Sequence, residues 1–336
     1  MKFALYLSRR TALSLVAVVG AVCLIFFITH VLPGNPVVAR VTLAGPDTIS
    51  RIEAQLGLDR PLGTQFVDYV KGLVHGDLGQ SGVSGRSVTQ DLKDRAPASL
   101  ELALIATLLA LLVSVPLGVY AAVHQGKLVD RIARAASSLA VSMPSFWIGI
   151  LLIYVFFYRA GVASAPLGRL DVDTVPPPST TGFLTVDSLI HGNWAAFRDA
   201  FGHVVLPATT LAITVSAPLV RITRATMLEV LTQPFITCDR ALGLPERVVV
   251  MRDALRNSLV AILTVTGLVF GYLVSGSVLV EQVFAWPGIG GYAFNALVNN
   301  DFTAIQGFVL VVAITYVTIN WAVDALYGVI DPRVRV

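Results

Sequence analysis

The sequence predicts an all-α integral membrane protein with six transmembrane helices and both termini in the cytoplasm. Composition is one reason, because 55% of the residues are hydrophobic and only 13% are charged, whereas soluble domains carry about 25% charged residues. The other two reasons are six apolar windows of membrane-spanning length and an uneven distribution of lysine and arginine between them. Together these features indicate a multi-pass membrane protein rather than a soluble domain.

Six apolar windows are each long enough to cross a bilayer. A hydrocarbon core of about 30 Å requires about 20 apolar residues in a helix. Inside lipid every backbone N–H and C=O needs a partner, so these spans must be helices. The alternating segments of about ten residues that are typical of a transmembrane barrel are absent from the sequence. We predict helices at about 11–32, 98–123, 133–158, 204–227, 259–283 and 304–330.

The first window, Thr11–Leu32, could also belong to a cleaved signal peptide. It is longer than the apolar part of a signal peptide, and no small-x-small cleavage site follows it. We therefore predict that residues 1–32 form a short cytoplasmic start followed by an uncleaved transmembrane helix.

Lysine and arginine set the predicted orientation, because both are enriched in the cytoplasmic loops of membrane proteins. More than half of the 24 Lys and Arg residues lie in segments 1–10, 124–134, 221–258 and 331–336. The segment 284–303 contains neither residue type. The first four segments, and with them both termini and the tail 331–336, are therefore predicted to be cytoplasmic.

Three segments are predicted to lie outside. Segment 33–97 is long and polar and can form one or two short amphipathic helices. Segment 159–203 contains PPPSTTG, which is irregular because of its prolines. Segment 284–303 contains the turn sequence WPGIGG, with Trp286 at interfacial depth. The last five spans and their loops form one predicted transmembrane domain, 98–330.

Signatures of enzymes and of metal sites are missing from the sequence. The chain contains no GxxxxGK[ST], HExxH or GxSxG motif, so no catalytic residue is predicted. Its five histidines, His203 among them, are scattered over different segments, so we predict no metal site. A net charge of +3 is too small and dispersed for a nucleic-acid partner. Cys23 and Cys238 lack a metal or disulfide spacing and are predicted to be buried or membrane-embedded.

Carboxylates in or near membrane spans are candidate functional groups, because charge inside a bilayer is costly. Glu101 and Glu281 lie near predicted outer helix ends, and Asp324 lies near an inner end. Two interpretations stay open, namely solvation at the interface and lining of a transport path. The candidates for a translocation path or external gate are Glu281, Trp286 and Gly288. The sequence lacks the midplane carboxylates that a self-sufficient secondary transporter would need.

Small residues recur at every fourth position of the fifth predicted span, at Gly267, Gly271 and Ser275. They share one helix face, on which another helix can approach closely. The neighbour can be another span of this chain, a partner subunit or a pathway wall, and the spacing does not distinguish these.

The stretch CDRALGLPERVVVMRDALRNSL is charged although it lies between two apolar runs. Pro234 interrupts the preceding helix, a short helix follows, and Gly243 is suited to end that helix in a left-handed conformation. The next helix carries a predicted apolar stripe at Val248, Met251 and Leu255. We predict that segment 229–258 forms a helix–turn–helix finger that docks in a groove on a cytoplasmic protein.

These residues resemble the membrane permeases of bacterial ATP-driven (ABC) importers, in the peptide and nickel branch. The resemblance extends over essentially the whole chain, and its motifs occur in the same order. They are LPGNPV, LGLDRPLGTQF and GDLGQS after the first span, PASLELALIATLLALLVSVPLGV and SMPSFWIGILL in the next two, HVVLPATTLAI and RITRATMLEVL around the fourth, VLVEQVFAWPGIG after the fifth, and DPRVR at the end. The finger resembles the EAA loop of that family, with matches at Ala241, Gly243, Arg252, Ala254, Leu255, Arg256 and Asn257.

The resemblance implies a type I ABC importer permease in the bacterial cytoplasmic (inner) membrane, surrounded by lipid. A second homologous permease would complete the path, two cytoplasmic ATPase subunits would drive it, and an external binding protein would deliver the substrate. This chain would bind no cofactor, since ATP and Mg would be bound by the ATPases. Peptides are the favoured substrates, with nickel chelates, glutathione or small glycans as alternatives. The implied coupling residues are Thr237, Cys238, Asp239, Arg240, Ala241, Gly243, Arg252 and Arg256.

Overall fold

The computed structural model describes residues 2–31 and 60–330. The described secondary structure is helical apart from one isolated β-bridge between Gln80 and Ser87, which confirms the predicted all-α class. The helices are α1 (Lys2–Val31), α2 (Leu62–Val74), α3 (Val88–Val123), α4 (Leu128–Ser142), α5 (Ser145–Leu152), α6 (Leu184–Ile190), α7 (Trp194–Leu231), α8 (Pro234–Ala241), α9 (Glu246–Val248), α10 (Leu255–Gly276), α11 (Val278–Val283), α12 (Ile289–Val298) and α13 (Phe302–Ile330). Two π-helical segments extend this list: Ile153–Arg159 continues α5, and Val249–Ala254 joins α9 to α10.

Within the described residues, five helical segments are long and apolar enough to cross a membrane. They are Ser8–Thr29 in α1, α3, α7, the α9–α10 rod at Glu246–Ser275, and Phe302–Ala325 in α13. A sixth span forms if α4 and α5 are taken together, and this pair is bent by 103°.

The expectation of one continuous helix over 133–158 is therefore wrong. The break falls at Met143, whose backbone is extended (φ −94°, ψ 130°), and at Pro144 after it. Proline explains the break, because it lacks an N–H and forces the preceding residue out of the helical conformation.

The other helices depart from the predicted windows at their ends. α3 and α7 both start about ten residues before their apolar windows, and both retain internal prolines. The fifth span ends at Gly276, and α11 is a separate short helix. In the predicted outer segment 33–97, α2 is the short helix before α3, while residues 33–59 and the predicted tail 331–336 lie outside the described residues.

α3 and α7 run side by side in the same direction. Ser114 Oγ donates a hydrogen bond to the Ser216 carbonyl (3.3 Å), and a Cβ added at Gly118 would lie 2.7 Å from Thr223 Cβ. The two helices can approach this closely because position 118 has no side chain. Both helices therefore end at the same end of the bundle.

α13 runs antiparallel to its two neighbours. Gly271 of α10 faces Tyr316 of α13, and the earlier Gly267 faces the later Val323. Against α1, the Trp321 indole N–H donates to Thr11 Oγ1 (3.1 Å). A large apolar core lies among α3, α7, α10, α11 and α12.

The bundle thus has two distinct ends. We call the end that carries α8 the finger end. The residues between α5 and α6, 160–183, pack near the start of α7, where the Asp171 N–H donates to Asp199 Oδ2 (2.9 Å). We call this opposite end the loop end.

Candidate functional site

The finger is built by local sequence. Gln233 has extended backbone and Pro234 occupies the first turn of α8, where a missing N–H is harmless. After α8, Gly243 takes the left-handed conformation (φ +79°) that the sequence predicts, and the Leu244 N–H donates to the Asp239 carbonyl (3.2 Å). The chain therefore reverses direction within a few residues.

One buried side chain anchors α8 to the bundle. Ile236 is fully buried and lies in a small apolar cluster with Met227 at the end of α7 and Val119 at the end of α3. Burying a side chain of this size stabilises the contact by about 1.5–3 kcal/mol. The sequence reasoning missed Ile236. The large apolar side chains of α8 are Phe235 and Ile236, and Phe235 is exposed.

The apolar stripe predicted at Val248, Met251 and Leu255 is wrong. Met251 is 53% exposed and Leu255 packs against the cluster only partly buried, whereas the residues of this segment that are buried in the cluster are Val249, Val250 and Ala254. The π-helical turn over these residues explains the shift, because its wider winding moves side chains out of the register of a regular helix.

Most of the predicted coupling residues lie at the surface of the finger. Asp239 is half-buried, and the other seven are exposed: Thr237, Cys238, Arg240, Ala241, Gly243, Arg252 and Arg256. The expectation that Cys238 is buried is therefore wrong, and both Cys23 and Cys238 are free thiols.

Two of these cations already have partners in the chain. Arg240 Nη2 lies 2.7 Å from Glu246 Oε1, and Arg252 Nε lies 2.9 Å from Asp253 Oδ1. The hydrogen bond to Glu246 raises the pKa of Arg240. The Arg240–Glu246 pair bridges α8 to α9 across the turn.

An apolar cavity of about 610 Å³ lies beside the finger, between the second half of α3 and the α9–α10 rod. Its wall includes Pro116, Tyr120 and Met251. Met251 therefore faces this cavity rather than the cluster around Ile236.

At the loop end, Glu281 is 1% exposed and supports the turn that follows it. Its Oε1 accepts hydrogen bonds from Ser99 Oγ (2.7 Å) and Ser277 Oγ (2.9 Å), and its Oε2 accepts one from the Gly291 N–H (2.9 Å). A Cβ at Gly288 would overlap Ser99 Oγ. Position 288 therefore requires glycine, because Ser99 and Glu281 leave no room for a side chain. Since Glu281 is buried, its interpretation as a solvated interfacial residue is wrong.

Trp286 is 3% exposed and points into the bundle. Its indole N–H donates to the Ala98 carbonyl (3.0 Å), and the guanidinium of Arg169 lies 5.8 Å from the centre of its ring. Trp286 thus ties the WPGIGG turn to Ala98, in the first half of α3, instead of facing the membrane interface.

Glu101 organises the loop end from α3. It forms an ion pair with Arg169 and accepts hydrogen bonds from the Thr185 N–H (2.8 Å) and hydroxyl (2.5 Å) at the start of α6. A solvated Glu101 is therefore excluded as well. At the other side of the membrane-spanning bundle, Asp324 pairs with Arg10 of α1.

Asp187 of α6 holds the preceding turn. Burial raises its pKa, but hydrogen bonds from Thr181, Thr180 and Gly182 outweigh this and keep the pKa of Asp187 below its usual value. This carboxylate therefore stabilises the turn as an anion down to acidic pH.

The small-residue face of α10 packs inside this chain. A Cβ at Gly271 would lie 2.6 Å from Tyr316 Cδ2, and one at Gly267 would overlap Val323. Ser275 Oγ donates to the carbonyl of Gly271 (3.2 Å). Of the three neighbours left open by the spacing, α13 of the same chain occupies the glycine positions.

Comparison with known proteins identifies the family. Residues 114–336 match the family described as "Binding-protein-dependent transport system inner membrane component", and residues 3–103 match its N-terminal counterpart. The chain is 43% identical over 331 residues to the probable D,D-dipeptide transport system permease protein of Escherichia coli, covering 97% of this chain and 96% of that protein. It is 38% identical over 335 residues to the dipeptide transport system permease protein of the same species, with 98% of each chain covered.

A solved structure shows the same fold. The chain resembles the inward-facing MetNI methionine ABC transporter with a TM-score of 0.52 and 16% identity, covering 70% of this chain and 93% of that one. The observed fold is thus that of an ABC importer permease. The chain belongs to the family of inner membrane components of binding-protein-dependent transport systems.

Proposed function

We propose that this chain is one permease subunit of an ATP-driven importer of di- and oligopeptides, and that α8 couples it to the ATPase. The finger itself carries the proposal, since it presents an exposed outer face and is anchored through Ile236 to the ends of α3 and α7. Membership of a binding-protein-dependent family implies a substrate-binding protein and an ATPase as partners. Similarity to the dipeptide permeases supports peptides as the substrate class.

The connections of α8 suit it to transmit motion. α7 ends at Leu231, just before Pro234, and the α9–α10 rod begins at Glu246, just after Gly243. A displacement of α8 therefore shifts the ends of two membrane spans together. ATP binding can drive alternating access through α8 only if the ATPase binds the finger differently in the two states.

The remaining partners complete this scheme. A second homologous permease supplies the other half of the path, two ATPase subunits bind ATP and Mg and hydrolyse the nucleotide, and an external binding protein delivers the peptide. The turn with Trp286 and Gly288 lies at the outer mouth, where Glu281 supports it from within. On this proposal, the purified chain alone shows no ATPase activity.

The orientation can be tested with the native thiol at Cys238 as an internal reference, because it is exposed on the finger. In intact cells an impermeant thiol reagent is expected to label a cysteine placed at Ser179, at the loop end, and to leave Cys238 and a cysteine at Glu246 unlabelled until the membrane is opened. The reverse pattern would place the finger outside and overturn the proposal.

Docking is tested by charging the exposed face of the finger. Leu242 is 74% exposed, so Leu242→Asp is expected to leave folding intact while abolishing binding of the ATPase and uptake of a labelled dipeptide. Val175→Asp is the matched control, because Val175 is 76% exposed at the loop end. Both are measured as permease abundance, ATPase co-purification and uptake in membrane vesicles.

The substrate class is tested in the same vesicles with the wild-type complex. Unlabelled di- and tripeptides are expected to compete with the labelled dipeptide, whereas glutathione, a nickel chelate and a small glycan are not. Competition by glutathione, the nickel chelate or the glycan, without competition by peptides, would make that ligand the substrate class instead. The role of α8 would be contradicted separately, if Leu242→Asp left ATPase binding and uptake unchanged.

A further inference from the structure

Two carboxylates and an imidazole, from the loop and from α7, meet at the loop end. Asp171 lies between α5 and α6, and Asp199 and His203 lie one helical turn apart on α7. One ligand atom from each of the three lies within 4.8 Å of the others. His203 Nε2 is 3.5 Å from Asp171 Oδ1. The prediction of no metal site was based on scattered histidines, and it did not consider one histidine with two aspartates.

His203 is held in the tautomer that a metal ligand needs. Its Nδ1 lies 3.0 Å from the Asp199 carbonyl oxygen and 3.0 Å from Asp199 Oδ1. Neither oxygen donates a hydrogen bond, so Nδ1 carries the proton. The lone pair is then on Nε2. That atom is buried and has no hydrogen-bond partner, although the His203 side chain is 1% exposed. A buried ring nitrogen that lacks a partner and points toward a carboxylate is an unusual arrangement that a bound cation explains.

Backbone contacts hold the residues of this cluster in place. The Asp171 N–H donates to Asp199 Oδ2 (2.9 Å), which fixes the loop residue against α7. Nearby, the Gly168 N–H donates to the Phe284 carbonyl (3.2 Å), and a Cβ at Gly202 would overlap Ser164 Oγ. The part of the loop that precedes Asp171 is therefore in close contact with α7 and with Phe284.

We propose that Asp171, Asp199 and His203 hold a divalent first-row transition metal of the zinc type, which fastens the 160–183 loop to the start of α7. One imidazole nitrogen with two carboxylate oxygens is a donor set that suits such metals, whereas Mg and Ca prefer oxygen alone. Tetrahedral zinc with bonds of about 2.0–2.1 Å separates its ligand atoms by roughly 3.3 Å, close to the 3.5 Å between His203 Nε2 and Asp171 Oδ1. Three protein ligands leave the fourth position to water.

The site is independent of the transported substrate and of the ATPase. It therefore predicts metal binding by the full-length chain alone, whether or not the proposal about peptides holds.

Cobalt is a suitable probe, because Co²⁺ at a tetrahedral site absorbs visible light while Zn²⁺ displaces it silently. Full-length chain in lipid nanodiscs is titrated with Co²⁺, and one equivalent per chain is expected to bind and to be displaced by Zn²⁺. Asp171→Asn and His203→Gln are expected to weaken Co²⁺ binding by at least about tenfold. Asp173→Asn is the matched control, since Asp173 is an exposed aspartate two residues away on the same loop.

A second measurement, of thermal stability, distinguishes loss of metal binding from poor folding of a variant. Asp171 has a 62% exposed side chain, so Asp171→Asn is expected to keep the wild-type melting temperature without metal and to lose the increase that Zn²⁺ gives the wild type. Absence of saturable Co²⁺ absorption in the wild type, or equal affinity in Asp171→Asn, would overturn the metal site.

Discussion

At the loop end the carboxylates Glu101, Glu281 and Asp187 are buried, and each accepts at least three hydrogen bonds or ion-pair contacts. In the finger, by contrast, one apolar side chain, Ile236, holds α8, and most of the charged residues are exposed. The buried carboxylate near this end, Asp130, lies outside the finger and pairs with Arg224 of α7. A buried carboxylate with several donors specifies one arrangement, because any shift leaves polar groups unpaired. An apolar anchor under an exposed face leaves that face free for another protein. The loop end and the finger are therefore suited to opposite tasks, the former to rigid geometry and the latter to docking.

The comparison predicts the largest effect for Glu281→Ala. The change removes the acceptor for Ser99, Ser277 and the Gly291 N–H at once, and hydrogen bonds to charged groups contribute about 1.5–3 kcal/mol each, so a loss of at least about 3 kcal/mol is expected. Thermal unfolding of the purified chain and its abundance in the membrane measure it. Glu229→Ala, at an exposed position of α7, is the control, and equal stability of the two variants would remove the distinction between the ends.

Ile236→Ala tests the anchor. Truncating a buried isoleucine costs about 2–5 kcal/mol where the contact is fully formed, but here the loss falls on α8 and its attachment. Hydrogen exchange is expected to increase in 233–245 while the spans keep their protection. Phe235→Ala is the neighbouring control, since Phe235 is 42% exposed and belongs to the outer face. If exchange in the finger stays slow in Ile236→Ala, the anchor lies elsewhere.

Gly243→Val tests the backbone of the finger without a steric clash, because no heavy atom lies within 4 Å of a Cβ added there. The left-handed φ of +79° makes valine strained by about 1–3 kcal/mol. We expect normal abundance with reduced ATPase coupling. Gly243→Asn is the rescue variant, since asparagine tolerates this conformation, and a defect of equal size in both would show that backbone conformation is not the cause.

The smallest effect is expected for the surface pair. Arg240 and Glu246 have side chains 44% and 53% exposed, and pairs of this kind contribute about 0–1 kcal/mol. Arg240→Glu is expected to reduce uptake, and the double exchange Arg240→Glu with Glu246→Arg separates two causes. Restored uptake would assign the role of Arg240 to its own chain, whereas continued loss would assign it to a charge on the ATPase.

The sequence by itself determined those features of this protein that depend on local pattern, namely the membrane spans and the bounds of the finger. Apolar length predicted the spans, and Pro234 with Gly243 predicted the start and the end of the finger, because each of these residues restricts or frees its own backbone. The same local logic could have revealed the bend at Pro144, but the apolar run across it concealed the signal.

Only the tertiary structure decided which groups the buried polar side chains contact. Glu281 and Ser99 are 182 residues apart, and neither periodicity nor spacing relates them, so the sequence left solvation open for a carboxylate that is buried. The same applies to His203, whose neighbour Asp171 comes from a loop. The register of the π-helical turn also placed Val249, Val250 and Ala254 in the cluster instead of the expected stripe. Hydrogen bonds and metal ligands depend on positions in space, and those are fixed only once the helices have packed.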